Sequence, residues 1–391
     1  MESWKENLSH LDMPVSFLKI LLLTTLCIVT DACITDEDCS LNGICNQSSS
    51  KCECDLGWKS DDCGQLDLQP ATRWTGYNYT NFTLPDFYGA KGNSSWGGSI
   101  IQDRVDKKLF HLIIDQFSHG CGLAGWRPFS TVVRAESRTG PAGPYHYAEE
   151  LLDTFRHNSK VVWSPADMRY LLYTIGIETD TPDTCKSYKW ANNISVSSAP
   201  DIHGPWEPSK YLFDATNPTP WPMWIQENPT PDIALGVEDN FIYLANDSGG
   251  PYDLIKSMPW NTSDYSDHWT EDPFLWRDRR GNWHILCHWM IDIAERGEKY
   301  PRVGGHLFSR SLMGNWMFKL QAAYNTTVYF TDGGRTNYYR RERPQLYFSD
   351  DGSLTPLYLI NGVQEFNSSA SYTLIQPIGE EAKLYERTLG F

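Results

Sequence analysis

The chain has 391 residues, a length that suits one small module beside one large domain. Its 33 Lys and Arg stand against 49 Asp and Glu, and the formal net charge of −16 argues against nucleic acid or anionic lipid as the main partner, because both would be repelled at long range. Aromatic residues make up 14% of the chain, with 16 Trp and 21 Tyr, a load that suits β-rich folds and flat platforms for sugar rings.

Near the N-terminus Lys19 precedes the apolar run from Ile20 to Val29, which ends at Thr30-Asp31-Ala32. A cationic flank, a short apolar core and a small residue at the cut site predict a secretory signal peptide over residues 1–32. The run falls short of the roughly 20 apolar residues that a membrane span needs. The polar lead from Met1 to Pro14 leaves an uncleaved signal anchor as a second reading, with Met13 as a second start. Asn-x-Ser/Thr sequons at Asn46, Asn78, Asn81, Asn93, Asn193, Asn246, Asn261, Asn325 and Asn367 agree with export, so a secreted, glycosylated chain is expected.

Six of the ten cysteines fall between residues 33 and 63, namely Cys33, Cys39, Cys45, Cys52, Cys54 and Cys63. So short a segment cannot bury enough apolar surface to fold unaided and needs covalent staples. Spacing alone leaves all the pairings of six cysteines open. The pattern, with its Cys52-x-Cys54 step and Gly57-Trp58 pair, resembles an EGF-like domain over residues 33–64. That resemblance implies Cys33–Cys45, Cys39–Cys52 and Cys54–Cys63 bridges. The acidic residues Asp36-Glu37-Asp38 follow Cys33 instead of preceding it, so no calcium is expected in the module.

Residues 65–89 read as a linker and the entry to a large domain over 90–391, where short apolar runs alternate with Gly, Pro, Asn and Asp. Five units can be proposed. Their openers are Trp96-Gly97-Gly98-Ser99, His157-Asn158-Ser159-Lys160, Asn228-Pro229-Thr230-Pro231, Glu271-Asp272-Pro273-Phe274 and Glu342-Arg343-Pro344-Gln345. Second strands follow at Leu109–Ile113, Tyr170–Tyr173, Phe241–Leu244, Trp283–Leu286 and Leu357–Ile360. Several units close on a Gly-Pro-aromatic turn, at Gly143-Pro144-Tyr145, Gly204-Pro205-Trp206 and Gly250-Pro251-Tyr252, with Gly314-Asn315-Trp316 as a degenerate copy.

Asp272-Pro273 with its strand, Gly281 turn and aromatic return strand, together with the Gly-Pro-Trp endings, resembles glycoside hydrolase family 43 over roughly residues 90 to 385. The resemblance implies an all-β five-bladed β-propeller behind the disulfide-rich module. It also implies a glycosidase that inverts arabinose-, xylose- or galactose-type linkages. By that resemblance Asp272 matches the Asp that orients the acid, and Glu342, in Arg341-Glu342-Arg343-Pro344-Gln345-Leu346-Tyr347, matches the general acid. Arg341 and Arg343 flank Glu342, where they would depress its pKa and work against an acid or, equally, grip a substrate carboxylate or sulfate, and Trp96, His157, Asn158, Asn228 and Glu271 complete the substrate-binding set.

One departure is plain. The first-blade position where the family carries its catalytic Asp holds Gly97, which leaves Glu271, Glu227, Asp86 and Asp115 as replacements for the base. The alternative function is therefore a non-catalytic propeller that binds extracellular glycan or serves adhesion, with the EGF-like module free to hold a protein partner.

Of the remaining cysteines, Cys121 and Cys185 are expected to bridge, with Cys287 buried on its strand. His119-Gly120-Cys121-Gly122 lacks the second ligand pair of a zinc finger and reads as a turn. His284 and His288 share one strand face and are expected to be packed core histidines. No metal ligand set and no cofactor is expected, a central structural cation excepted. Gly333-Gly334 lacks the Lys-Ser/Thr of a phosphate loop, and no Gly-x-Ser-x-Gly elbow is present.

Overall fold

Short, β-branched and aromatic runs set between turn residues fold here into a ring of antiparallel sheets. The computed structural model describes residues 32–77, 94–182, 184–185, 192–223, 232–238, 241–256, 268–291, 302–319 and 321–391. Blade 1 is formed by Ser95–Gln102, Phe110–Phe117, Ser130–Ser137 and His146–Leu152. Blade 2 is formed by His157–Ser164, Arg169–Ile175, Asn193–Ala199 and Lys210–Asp214. Blade 3 comprises Thr219–Pro222, Ile233–Gly236, Ile242–Ala245 and Asp253–Lys256, and blade 4 comprises His268–Arg277, Trp283–Ile291, Arg302–Ser309 and Met317–Phe318. Blade 5 has three strands, Arg340–Phe348, Pro356–Gln364 and Tyr372–Pro377. The architecture is an all-β, five-bladed propeller.

Burial follows from this packing. A middle strand has a neighbouring blade against each face, so Phe110–Phe117 and Pro356–Gln364 are buried at every residue. The outermost strand of blade 1, His146–Leu152, is half-buried or exposed along its length. The helix Glu381–Leu389 ends at Gly390 in the left-handed conformation, and it packs Ala382, Tyr385 and Leu389 against a core drawn from blades 5 and 1.

The Gly-Pro-aromatic turns link the third and fourth strands of blades 1 to 3, with Gly143, Gly204 and Gly250 all at positive φ before a cis Pro. In blades 1, 3 and 4 the aromatic side chain closes the turn on the carbonyl four residues upstream. Tyr145 donates to Pro141 O, Tyr252 to Ser248 O and, in blade 4, Trp316 Nε1 to Leu312 O.

Blade 3 corrects one sequence expectation. Ile233–Gly236 and Ile242–Ala245 are its second and third strands, and its inner strand is Thr219–Pro222. Pro220 and Pro222 obscured that strand, yet an innermost strand has a sheet neighbour on one side only and tolerates them. Asn228, placed in the opener from sequence, lies outside the described residues, as do residues 1–31 with the signal-peptide reading.

The N-terminal module carries Cys33–Cys45, Cys39–Cys52 and Cys54–Cys63 bridges. Cys121 bridges Cys185, and Cys287 is a buried thiol that burial holds well above its ordinary pKa. The module packs on blade 4. Trp58 lies over Trp276 and His306, and Arg280 reaches both oxygens of Asp55 and the Leu41 carbonyl. Arg310 pairs with Glu37 through two bonds and holds its carboxyl down to about 2. Among the sequons, Asn246, Asn325 and Asn367 are exposed and Asn46 and Asn193 are half-buried, while Asn78, Asn81, Asn93 and Asn261 lie outside the described residues.

Trp58 is 8% exposed and joins the hydrophobic cluster shared by the module and the propeller. Trp58→Ala is expected to lower stability by about 3–5 kcal/mol. Denaturant unfolding checks this, and a loss under about 1 kcal/mol would show that the module does not contribute to the propeller's core.

Candidate functional site

Each inner strand carries a residue in the left-handed region within its first half or, in blade 3, two residues before its start. These are Gly97 (φ 66°), Asn158 (54°), Asn217 (54°), Asp272 (52°) and Arg343 (55°). A residue other than glycine enters this region at a cost of about 1–2 kcal/mol. In blades 1, 2, 4 and 5 the pairing with the second strand skips at this point, so the position is a bulge that turns two successive side chains toward the ring's centre. Pro218, Pro273 and Pro344 follow it in blades 3, 4 and 5, where the bulge leaves no ladder donor to lose.

The bulged residues and those before them surround one cavity of about 600 Å³ at the ring's centre. Trp96, His157, Thr216, Glu271 and Glu342 line it from the preceding positions, and Asn158, Asn217, Asp272 and Arg343 from the bulges. Of the residues named from sequence, Trp96, His157, Asn158, Glu271, Asp272, Glu342 and Arg343 thus come together. Arg341 does not. On a strand adjacent side chains point to opposite faces, and its buried guanidinium donates to Asn361 Oδ1, Gln376 Oε1 and Asn325 O over the Tyr324 ring. It is a structural residue of blade 5.

Gly97 is the one bulge without a side chain in the cavity, and its neighbour explains why. A Cβ built there would fall 2.5 Å from Arg343 Cδ. The Arg343 stem occupies the space in front of blade 1. Its head donates to Asp115 Oδ2 at 2.5 Å and to His157 Nε2 at 2.8 Å, with Nε 3.4 Å from Asp272 Oδ1. Asp115 also accepts from the backbone N–H groups of Asn158 and Ser159. Burial pushes its carboxyl pKa up, while Arg343 and these N–H groups pull it down. Asp115 is therefore a clamp between blades 1, 2 and 5 and does not line the cavity as a base would. Glu227 and Asp86 lie outside the described residues.

His157 is held neutral, chiefly by burial and then by Arg343, and stacks on Trp126 at 4.3 Å. Two residues past Asn158, Lys160 is buried, and among the described residues its Nζ has no hydrogen-bond partner. Burial pushes its pKa down to about 7, helped by Arg343 and opposed by Asp272 and Asp115.

On the other side of the cavity His288 lies between two acids, 3.9 Å from Glu271 Oε2 and 3.8 Å from Glu342 Oε1. Arg340 donates to Glu342 Oε1 at 3.2 Å. Glu271, Asp272 and His288 bring ligand atoms within 4.8 Å of one another and are the residues that could hold a central cation, with Arg343 competing for Asp272. A second cluster, Asp103, His111 and His203, does not fit a metal through His111. Its Nδ1 accepts from Arg134, so Nε2 keeps its proton and donates to Asp103.

His284 belongs to a different network. Asn42 donates to His306 Nδ1, His306 Nε2 then donates to His284 Nδ1, and His284 Nε2 to Asp278. Burial lowers both histidine pKa values and keeps the chain neutral. His119 sits in the left-handed conformation two residues before the Cys121 bridge, in a turn.

Several cavity residues escaped sequence reasoning: Trp126, Arg127, Asn192, Asn217, Glu238 and Arg340. Asn217-Pro218 carried a legible signal, since it repeats the residue-Pro step of Asp272-Pro273 and Arg343-Pro344. Glu238, which accepts from Asn217 Nδ2, and Arg127 lie on connections that no repeat marks.

No protein-family model matches the sequence, nor does any curated protein. Among solved structures, the chain is similar in fold to an endo-arabinase from Bacteroides thetaiotaomicron, with 14% identity, a TM-score of 0.47, and coverage of 73% of this chain and 94% of that one. It is similar to the catalytic domain of the GH62 alpha-L-arabinofuranosidase of Coprinopsis cinerea, with 12% identity, a TM-score of 0.49, and coverage of 79% and 98%. A family 117 glycoside hydrolase of Zobellia galactanivorans matches with 10% identity, a TM-score of 0.49, and coverage of 80% and 89%.

Two expectations follow. Arg343→Ala leaves Asp115 buried without its cation and is expected to cost about 3–5 kcal/mol at neutral pH. The loss should shrink on acidification, as Asp115 takes a proton more readily in the variant, and a pH-independent loss would contradict the clamp. For Lys160, the unfolded chain keeps its proton up to about 10 while the folded one releases it above about 7, so stability rises with pH between these values. Relative to Lys160→Met, the wild type is expected to gain stability from pH 7 to 10 in denaturant titrations. A flat difference would place Lys160 Nζ in contact with water or an acid.

Proposed function

We propose that the chain binds a glycan in its central cavity and does not hydrolyse it by the inverting route. The observation that carries this reading is the filling of the blade-1 position by Arg343. Inverting hydrolysis requires a carboxylate that activates water across the sugar from the proton donor, and position 97 has no side chain and no room for one. What remains is a polar, aromatic-walled pocket. Asn158 and Asn192 line it, and among the described residues no donor reaches their buried Oδ1 atoms, which leaves them as acceptors for sugar hydroxyls. Trp96 and Trp126 lie in its wall, and Glu342 and Glu271 offer further acceptors.

A second reading draws on Glu238. It enters the cavity from blade 3, which is not a neighbour of blade 5, and so faces Glu342 across the ring. A rebuilt pair of Glu342 as acid and Glu238 as base would hydrolyse with a different second carboxylate.

Four disulfides support work in an oxidising compartment, and extracellular glycan is the ligand class proposed. The decisive experiment is to present arabinose-, xylose- and galactose-terminated oligosaccharides to the full chain, measuring binding and the release of reducing ends together. Binding without release is expected, with Glu342→Gln weakening affinity at least about tenfold. Release by the wild type that Glu342→Gln and Glu238→Gln both abolish would establish the second reading. If no saccharide binds, both fail.

A further inference from the structure

The cavity's cations are unequally engaged. Arg343 is used by Asp115, His157 and Asp272, and Arg340 by Glu342. Arg127 lines the same cavity and, among the described residues, has no hydrogen-bond acceptor and no ion-pair partner, and its Nε is buried. The guanidinium is nevertheless held, with Cζ 4.2 Å from the centroid of the Trp126 ring, and Trp126 is in turn stacked on His157. Burial lowers the pKa of Arg127, with Glu238 opposing through space, but the side chain stays charged because arginine starts so high. A half-buried guanidinium, fixed by an aromatic face and without an acceptor, is set up to receive one.

We infer that the saccharide taken by this cavity carries one oxyanion, a carboxylate or a sulfate ester, and that Arg127 grips it; this rests on the glycan-binding reading above. The planar fork of donors matches either group, and stacking on Trp126 fixes its orientation before the ligand arrives. Hydroxyls of the same sugar donate to Asn158 Oδ1 and Asn192 Oδ1, for which the described residues supply no donor, while Arg127 needs an acceptor, so the pocket asks for both hydroxyl donors and an oxyanion. The surrounding acids limit the ligand to a single charge. Glu238 is bound by Asn217, Glu342 by Arg340, Asp272 faces Arg343 and Glu271 faces His288. A densely charged polymer would meet these carboxylates and the chain's net charge of −16.

The test titrates the full chain with three matched oligosaccharides of one backbone: neutral, with a terminal uronate, and with a terminal sulfate ester. The wild type is expected to bind at least one acidic member about tenfold or more above the neutral one. Arg127→Gln should abolish that preference while the chain still unfolds in one cooperative melting transition, since among the described residues Arg127 makes no hydrogen bond or ion pair in the fold. Arg127→Lys should restore part of the preference, by charge without the fork. Equal binding of neutral and acidic members by the wild type, or a preference that survives Arg127→Gln, overturns the inference and leaves the glycan reading standing. A polysulfated form of the same backbone, titrated beside these three, is expected to bind more weakly than the favoured singly charged member, and tighter binding overturns the single-charge claim. Absence of binding to all three overturns the glycan reading and this inference with it.

Discussion

The ion pair between Asp115 and Arg343 is the contact on which the centre of the ring depends. Asp115 comes from the second strand of blade 1, its two N–H donors from the bulge of blade 2, and the guanidinium from the bulge of blade 5. One carboxylate thus ties the first, second and last blades across the closure of the ring. A buried charge of this kind is tolerated only when its partners are complete, and here three donors converge on it. The same pairing draws the Arg343 stem across Gly97, so the interaction that closes the ring also removes the place where blade 1 would present an acid. Ring closure and the chemistry of the cavity are set by one residue.

The left-handed bulges explain why so many polar groups gather at one end. Without a bulge, alternation along a strand would send every second side chain away from the axis. With one, two consecutive residues face the cavity from each blade, which is how Glu271 and Asp272, or Glu342 and Arg343, share a site while Arg341 turns into its blade. Asp272 and Arg343 hold a conformation that favours glycine or asparagine because the neighbouring blades over-determine it.

Much of this was legible in the residues. Short strands, repeated Gly-Pro-aromatic turns and the Asp272-Pro273 step were sufficient for the propeller, because each is a local signal with a local cause. Blade 3 was not legible in the same way, since Pro220 and Pro222 look like strand breakers until the strand is seen to be innermost. The role of Gly97 was visible only as a missing acid. Its cause, a side chain arriving from a residue far along the chain, is a tertiary fact. Arg127 was out of reach for the same reason, for what distinguishes it is the acceptor it lacks, and a sequence does not show partners. Among the acids named as replacements for the base, Asp115 illustrates the converse, since it has the right composition and sits in the wrong layer, whereas Glu271 does line the cavity.

The segment after the EGF-like module has a consequence for how the protein is made. Leu68 bridges to Ile378, Ala71 to Phe330 and Tyr77 to Tyr145, so this short strap touches the last strand of blade 5, the hairpin before that blade and the outer turn of blade 1. Leu66 and the rest of the module rest on blade 4. The module and strap therefore have most of their binding surfaces encoded far downstream, in and around blades 4 and 5. Until blades 4 and 5 are synthesised, the module must stand on its own three disulfides, and the strap must wait beside an open ring. Once blades 4 and 5 are present the module has its seat and the strap its partners, so a product cut short before them would carry a disulfide-bonded head on an open propeller.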